Sequence, residues 1–192
     1  MAAERSIRPQ PGPQEAFLSS PADIVIYGGA AGGGKTYAIL MEPLRHINNK
    51  DFGAVIFRRE SVQIMNEGGL WDTAMSIYPL IGGVPRGQPK PTFKFPAGGR
   101  VTFAHLNLEA DVLGWQGAQV PLICFDELTH FTRSQFFYML SRNRSTCGVR
   151  PYVRATCNPD ADSWVADLIA WWIDQVTGLP IPERSGVIRW FV

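Results

Sequence analysis

The chain has 192 residues, 45% of them apolar, 18% charged and 11% aromatic, which excludes intrinsic disorder and permits one domain with a sizeable core. Lysine plus arginine (18) nearly balances aspartate plus glutamate (17), so the net charge of +1 excludes a generally basic nucleic-acid coat and a polybasic membrane binder. A motor that touches DNA through a few side chains is not excluded.

Residues 1–12 read as an irregular arm, because prolines interrupt any helix there, and they lead into apolar Phe17-Leu18. The apolar run at 23–27, between Pro21 and Gly28, predicts a buried strand. A glycine-rich turn follows, then a helix over 36–41 that Pro43 should kink or end. Residues 54–57 predict a second buried strand. Helices are expected from Ser61, as a cap, towards Met65, and again over 70–77, while 79–91 read as loop. Residues 92–95 and 100–103 alternate at period two around Pro96-Ala-Gly-Gly99, the pattern of a hairpin. Residues 122–125 form a third strand, Thr132-Arg-Ser-Gln135 a capping box for a helix to about Leu140, and 152–157 a fourth strand. A helix over 164–176, capped by Asp162 or Ser163 and ended at Gly178, precedes a last strand at 187–192. Strands alternating with helices predict an α/β fold with a central, mostly parallel sheet flanked by helices and a β-hairpin insertion.

Gly29-Ala30-Ala31-Gly32-Gly33-Gly34-Lys35-Thr36 matches GxxxxGK[ST] between a predicted strand and a predicted helix. Glycines let successive N–H groups curl around phosphate oxygens, and the helix start adds partial positive charge. Lys35 would reach the β- and γ-phosphates of ATP, and the Thr36 hydroxyl would ligate Mg²⁺. Asp126-Glu127 stand at the tip of the third strand, where Asp126 suits an outer Mg²⁺ ligand and Glu127 a base that activates water. Asn158 ends the fourth strand, where it either senses the γ-phosphate or simply makes an Asn-Pro turn. Arg142, Arg144, Arg150 and Arg154, like Arg58-Arg59, form a solvated face, a finger acting on a neighbouring subunit, or a DNA contact. Trp164, Trp171 and Trp172 read as one helix's packing face. His46, His105 and His130 share no metal spacing, and the three cysteines show no CxxC, so Cys124 and Cys157 are expected in the core of a chain suited to a reducing cytosol. No signal peptide or membrane-spanning run is present in the sequence.

Gln14-Glu-Ala-Phe-Leu18, the phosphate loop, Val55-Ile-Phe-Arg-Arg59, Trp115-Gln-Gly117, Ile123-Cys-Phe-Asp-Glu-Leu-Thr129, Arg142-Asn-Arg-Ser145 and Thr156-Cys-Asn-Pro159 follow one another in that order. The set resembles the ATPase domain of the large terminase subunit of tailed bacteriophages. That resemblance implies a P-loop NTPase of the additional-strand catalytic-glutamate type, with 1–20 as an N-terminal arm bearing an adenine-contacting Gln14 and 21–192 as the ATPase domain. It implies a Mg²⁺-dependent motor that packages double-stranded viral DNA into a procapsid in the host cell cytoplasm. The implied partners are a portal protein, a small terminase subunit and further copies in a ring, the isolated chain being a monomer. Thr156, Cys157 and Asn158 match the segment that couples hydrolysis to movement. The arginine many members carry before Gly117 is replaced here by Trp115-Gln116, and Arg142 and Arg144 are the candidate substitutes. The nuclease domain of complete large terminases is missing, so the chain reads as an ATPase domain truncated on its C-terminal side. The alternatives are a helicase-type DNA-translocating ATPase, or a nucleotide-binding but inactive prophage remnant.

Overall fold

The computed structural model describes residues 7–30, 32–184 and 187–189. Within them one sheet contains β1 (Ile24–Gly28), β2 (Gly53–Arg58), β3 (Val84–Arg86), β4 (Thr92–Lys94), β5 (Arg100–His105), β6 (Leu122–Phe125) and β7 (Tyr152–Cys157). The spatial order is β1-β7-β6-β2-β5-β4-β3. The first five strands in that order are parallel, and β4 and β3 continue the sheet antiparallel. β7 therefore separates the strand that enters the phosphate loop from the strand that ends in the acidic pair, which is the added strand of the expected fold class.

The parallel strands are apolar at nearly every position because both sheet faces are covered. Ala54 and Ile56 of β2, with Leu122 and Cys124 of β6, face one core. It is closed by α2 (Lys35–Met41), α3 (Ser61–Met65) and α4 (Leu70–Ile77). Val55, Phe57, Ile123 and Phe125, the alternate residues of the same strands, face a second core under α5 (Arg133–Leu140) and α6 (Trp164–Ile169). The period of two thus places each strand between two helical layers.

Local chemistry accounts for several element ends. The capping box before α5 forms as expected: Thr132 Oγ1 accepts from Gln135 N at 3.1 Å, and Gln135 Oε1 accepts from Thr132 N at 3.2 Å. The α-helix ends just before Pro43, as expected. α2 stops at Met41 and tightens into a 3-10 turn, Glu42–Arg45, whose second residue is Pro43 and whose early N–H groups need no helical partner.

Five local expectations need correction. Pro13 opens a helix, α1 (Pro13–Ser19), within the N-terminal arm, since proline suits the first helical position. Glu60, not Ser61, caps α3, its N–H held by the Gln63 side chain at 3.3 Å. The 79–91 loop contains β3, recruited by pairing with β4. The helix from Trp164 ends at Ile169 and tightens into a 3-10 turn, Ala170–Trp172; beyond it Asp174 Oδ1 accepts from the Val176 and Thr177 amides (3.0 and 2.8 Å), and Ile173 bridges Pro180. Trp164 consequently packs on Phe136, while Trp171 and Trp172 pack on each other. Val187–Arg189 are not in a strand, and the remainder of the strand expected at 187–192 lies outside the described residues, as does Ala31.

The hairpin is part of the core. Phe93 of β4 is fully buried, with ring centroids 4.8 Å from Trp71, 4.9 Å from Tyr78 and 6.2 Å from Phe103. Phe93→Ala is expected to cost about 3–5 kcal/mol of stability. The cost would appear in urea unfolding as a lower midpoint with an unchanged slope. A midpoint equal to the parent's would mean that the hairpin folds separately from the sheet.

Candidate active site

In a parallel sheet the strand C-termini end at one edge, and here that edge collects β1, β7, β6 and β2. β1 ends at Gly28, and the phosphate loop runs from Gly29 to α2. Gly34 has φ +69°, and a Cβ there would meet Gln14 Nε2 at 2.2 Å, so only glycine fits. The cause of that closeness is a bond: Gln14, 2% exposed, donates from Nε2 to Gly34 O at 3.0 Å and accepts from Gln10 N at 2.8 Å. Gln10, Pro11, Gln14, Tyr27 and the loop glycines surround a cavity of about 350 Å³ that reaches Lys35. The N-terminal segment is thereby fastened to the phosphate loop.

Lys35 is 6% exposed, and its Nζ donates to Gly29 O (2.7 Å), Ala30 O (2.8 Å) and Asn158 Oδ1 (3.0 Å). Asn158 Nδ2 in turn donates to Glu127 Oε2 at 3.0 Å. One amide side chain therefore links the phosphate-loop lysine to the carboxylate at the tip of β6. Of the two readings of Asn158, the geometry favours a site residue over a bare turn.

The acidic pair is held differently at its two members. Asp126 is 1% exposed, with Arg58 Nη2 2.7 Å from Oδ2 and the Thr156 hydroxyl donating to Oδ1 at 2.6 Å. Burial pushes the Asp126 carboxyl up, and the Arg58 guanidinium and Thr156 hydroxyl oppose that push. Glu127 occupies the left-handed region, with φ 64° and ψ 62°, the one non-glycine residue with positive φ among those described. Such a conformation costs about 1–3 kcal/mol and persists only where the surroundings hold it. Here Glu127 N donates to Thr156 Oγ1 at 3.2 Å, and Asn158 holds the side chain. The backbone strain turns the Glu127 carboxylate away from the path of β6 towards Asn158.

The matching family model describes the terminase large subunit, T4likevirus-type, N-terminal, and it covers residues 26–187. The chain belongs to that family. Similar folds occur in the large terminase of a thermophilic bacteriophage (TM-score 0.60, 15% identity, 82% of this chain and 42% of that one) and in the HK97 bacteriophage large terminase (0.58, 15%, 81% and 34%). The Thermus phage P74-26 large terminase ATPase domain is also similar (0.57, 14%, 94% and 76%). The chain thus spans well under half the length of the first two proteins. No curated protein matches it in sequence.

Within this terminase fold, Gln14, Gly29, Ala30, Gly32, Gly33, Gly34, Lys35, Thr36, Asp126, Glu127 and Asn158 gather around one strand edge, while Ala31 lies outside the described residues. Arg142 and Arg144 do not join them. They lie in the segment leading to β7, where Arg142 O accepts from Val120 N and the Asn143 side chain bonds Val120, Pro121 and Tyr152 carbonyls, all at the opposite strand ends. Arg144 is exposed, and Arg142 stacks on Tyr138. Arg58 is committed to Asp126, Arg59 to Gln135, and Arg154 to the backbone of Ser20 and Ala22. Trp115, two residues before Gly117, packs edge-on against Phe57 and carries Lys90 over its ring at 4.5 Å.

Two site residues were not legible as such in the sequence. Arg58 was one basic residue among many, and nothing local tied it to Asp126, 68 positions away. Thr156 stood in the coupling segment by likeness alone, and its bond to Asp126 depends on β7 lying next to β6.

Removing Arg58 would leave a buried carboxylate without a counter-ion. Arg58→Ala is expected to lower stability by about 3 kcal/mol at pH 7. Without the guanidinium the Asp126 carboxyl titrates higher still, so the variant loses stability as pH rises and its deficit shrinks on acidification. Urea unfolding of parent and variant at neutral and acidic pH measures this, and equal midpoints at pH 7 would contradict it.

Proposed function

We propose that the chain is the ATP-hydrolysing motor domain of a viral terminase large subunit and drives double-stranded DNA into a procapsid in the cytoplasm of the host cell. The observation that carries this reading is the Lys35–Asn158–Glu127 bridge at the strand edge of a terminase-family fold. Nucleotide binding gains support from the thermophilic phage protein, whose structure has been determined with ADP and with ATP-gamma-S.

Each residue then has a task. Backbone N–H groups of Gly29–Thr36 surround the phosphates, and Lys35 turns from the loop carbonyls to the β- and γ-oxygens. Gln14 and the neighbouring cavity receive the adenine. Thr36 and Asp126 present only hydroxyl and carboxylate oxygens, the donor set that suits Mg²⁺. Mg²⁺, when bound, neutralises charge on the phosphate oxygens. Glu127 accepts a proton from the attacking water, and Asn158 reports the change at the γ-position to β7 through Thr156. Arg142 or Arg144 supplies the finger to the next subunit of a ring seated on the portal, with DNA delivered by a small terminase subunit. In that scheme an isolated monomer turns ATP over slowly.

Two tests follow. Glu127→Gln should bind ATP as the parent does and hydrolyse it about 10²–10⁴-fold more slowly, whereas Lys35→Ala should lose nucleotide affinity. A Glu127→Gln protein that hydrolyses ATP at the parent's rate would place the base elsewhere. In mixed rings, Arg144→Ala subunits should support a Glu127-defective neighbour less well than unmodified subunits do, because a finger in trans is worth about 10³–10⁵ in rate. Normal packaging by both Arg142→Ala and Arg144→Ala rings would remove these two as fingers.

A further inference from the structure

The antiparallel end of the sheet carries a second cluster of cations. β3, β4 and β5 pair so that Lys94 stands directly opposite Arg100, and Arg86 stands opposite Thr92. Opposed residues, and residues two apart, share a sheet face. Arg86, Lys94 and Arg100 therefore project from one face, while Phe93 and Val101 enter the core on the other. Lys50, before β2, and Thr146, before β7, complete an open groove of about 780 Å³. Arg86, Lys94, Arg100 and Lys50 are all exposed, and Asp51 is the one acid in the groove's lining. None of the four cations has a side-chain hydrogen bond or ion pair among the described residues.

This arrangement works against the fold. A like-charge pair directly across two strands destabilises the sheet. Four of the chain's 18 basic residues converge on one groove in a protein of net charge +1. The groove also stands apart from the phosphate loop and the acidic pair. Arg100 and Gly53 pair at the starting ends of β5 and β2, whereas Lys35, Asp126 and Asn158 cluster at the finishing ends of the parallel strands. Strands lie roughly 4.8 Å apart and two residues advance roughly 7 Å, so the cations span more than one phosphate. Their chemistry suits a row of phosphates, with guanidinium forks and the Thr146 hydroxyl as donors.

From this geometry we infer that the groove of Lys50, Arg86, Lys94 and Arg100 grips the phosphate backbone of duplex DNA; the choice of duplex rests on the packaging-motor reading. Contacts of this kind position the chain on DNA without reading its sequence.

The test is anisotropy titration of a short fluorescein-labelled duplex with the intact chain over a range of salt concentrations. Replacing Arg86, Lys94 and Arg100 together by alanine should weaken binding and flatten the log–log salt slope by roughly 2–3 units, at about 0.9 per lost phosphate contact. Lys94→Glu gives a second readout. A carboxylate opposite Arg100 makes a favourable cross-strand pair, so this variant should melt no lower than the parent and yet bind DNA more weakly. A folded triple variant with the parent's affinity and slope overturns the inference, as does a parent chain that binds no duplex at low salt. Binding of a fluorescent ADP analogue, measured separately, distinguishes the two readings. Groove-dependent DNA binding by a chain that takes no nucleotide would support the groove and sink the motor reading, while normal ADP binding with groove-independent DNA binding would do the reverse.

Discussion

The architecture of the site depends on one buried charge. Asp126 ends a strand that is buried on both faces, and its carboxylate has almost no access to water. An isolated carboxylate in such a place would take up a proton rather than remain charged. The sheet compensates from both sides, with a guanidinium from β2 and a hydroxyl from β7. Three adjacent strand ends are thereby held in register. Registry, more than net stability, is the clearest consequence of such a pair, because the same strands could be joined by apolar contacts at no greater cost.

From that anchor the next residue departs abruptly. Glu127 leaves the strand direction through a left-handed backbone step, held by the same Thr156 hydroxyl that donates to Asp126. Asn158, two residues beyond Thr156, then reaches both Glu127 and Lys35. A displacement of β7 along its axis would disturb the Asp126 bond, the Glu127 backbone and the lysine together. The added strand between β1 and β6 therefore ties the acidic pair, the Glu127 turn and the phosphate-loop lysine to one another. The bond from Gln14 to the phosphate loop joins the N-terminal segment to the same network.

The two ends of the sheet divide the chemistry. Finishing strand ends carry the acids, the amide and the phosphate loop. The antiparallel extension and the adjoining strand starts carry Lys50, Arg86, Lys94 and Arg100, which are exposed and have no side-chain partner among the described residues. A parallel sheet imposes this polarity, since every strand begins at one edge and finishes at the other. The near-zero net charge of the chain gives no sign of the cationic groove, because a total says nothing about where charges lie.

The sequence by itself determined what depends on near neighbours. Apolar runs marked the strands, glycine spacing marked the phosphate loop, and Thr132 with Gln135 marked the start of α5. The acidic pair and Asn158 were recognisable because each ends an apolar run, and strand tips in α/β sheets are where ligands are met. Only the tertiary structure decided which tips touch. The Arg58–Asp126 pair joins residues on neighbouring strands far apart in the chain, and it exists because β2 lies beside β6. The strand order likewise selected Thr156 as Asp126's donor and recruited residues 84–86 into β3 from an apparent loop. The expected helix to 176 gave way at Ala170 to a 3-10 turn, and past it the Asp174 carboxylate holds the Val176 and Thr177 amides in a turn of its own. The period-two alternation of residues 92–95 and 100–103 was visible in one dimension. That Lys94 opposes Arg100, on the face away from the aromatic core, follows from strand register, a property of pairing between strands that no single run of residues contains.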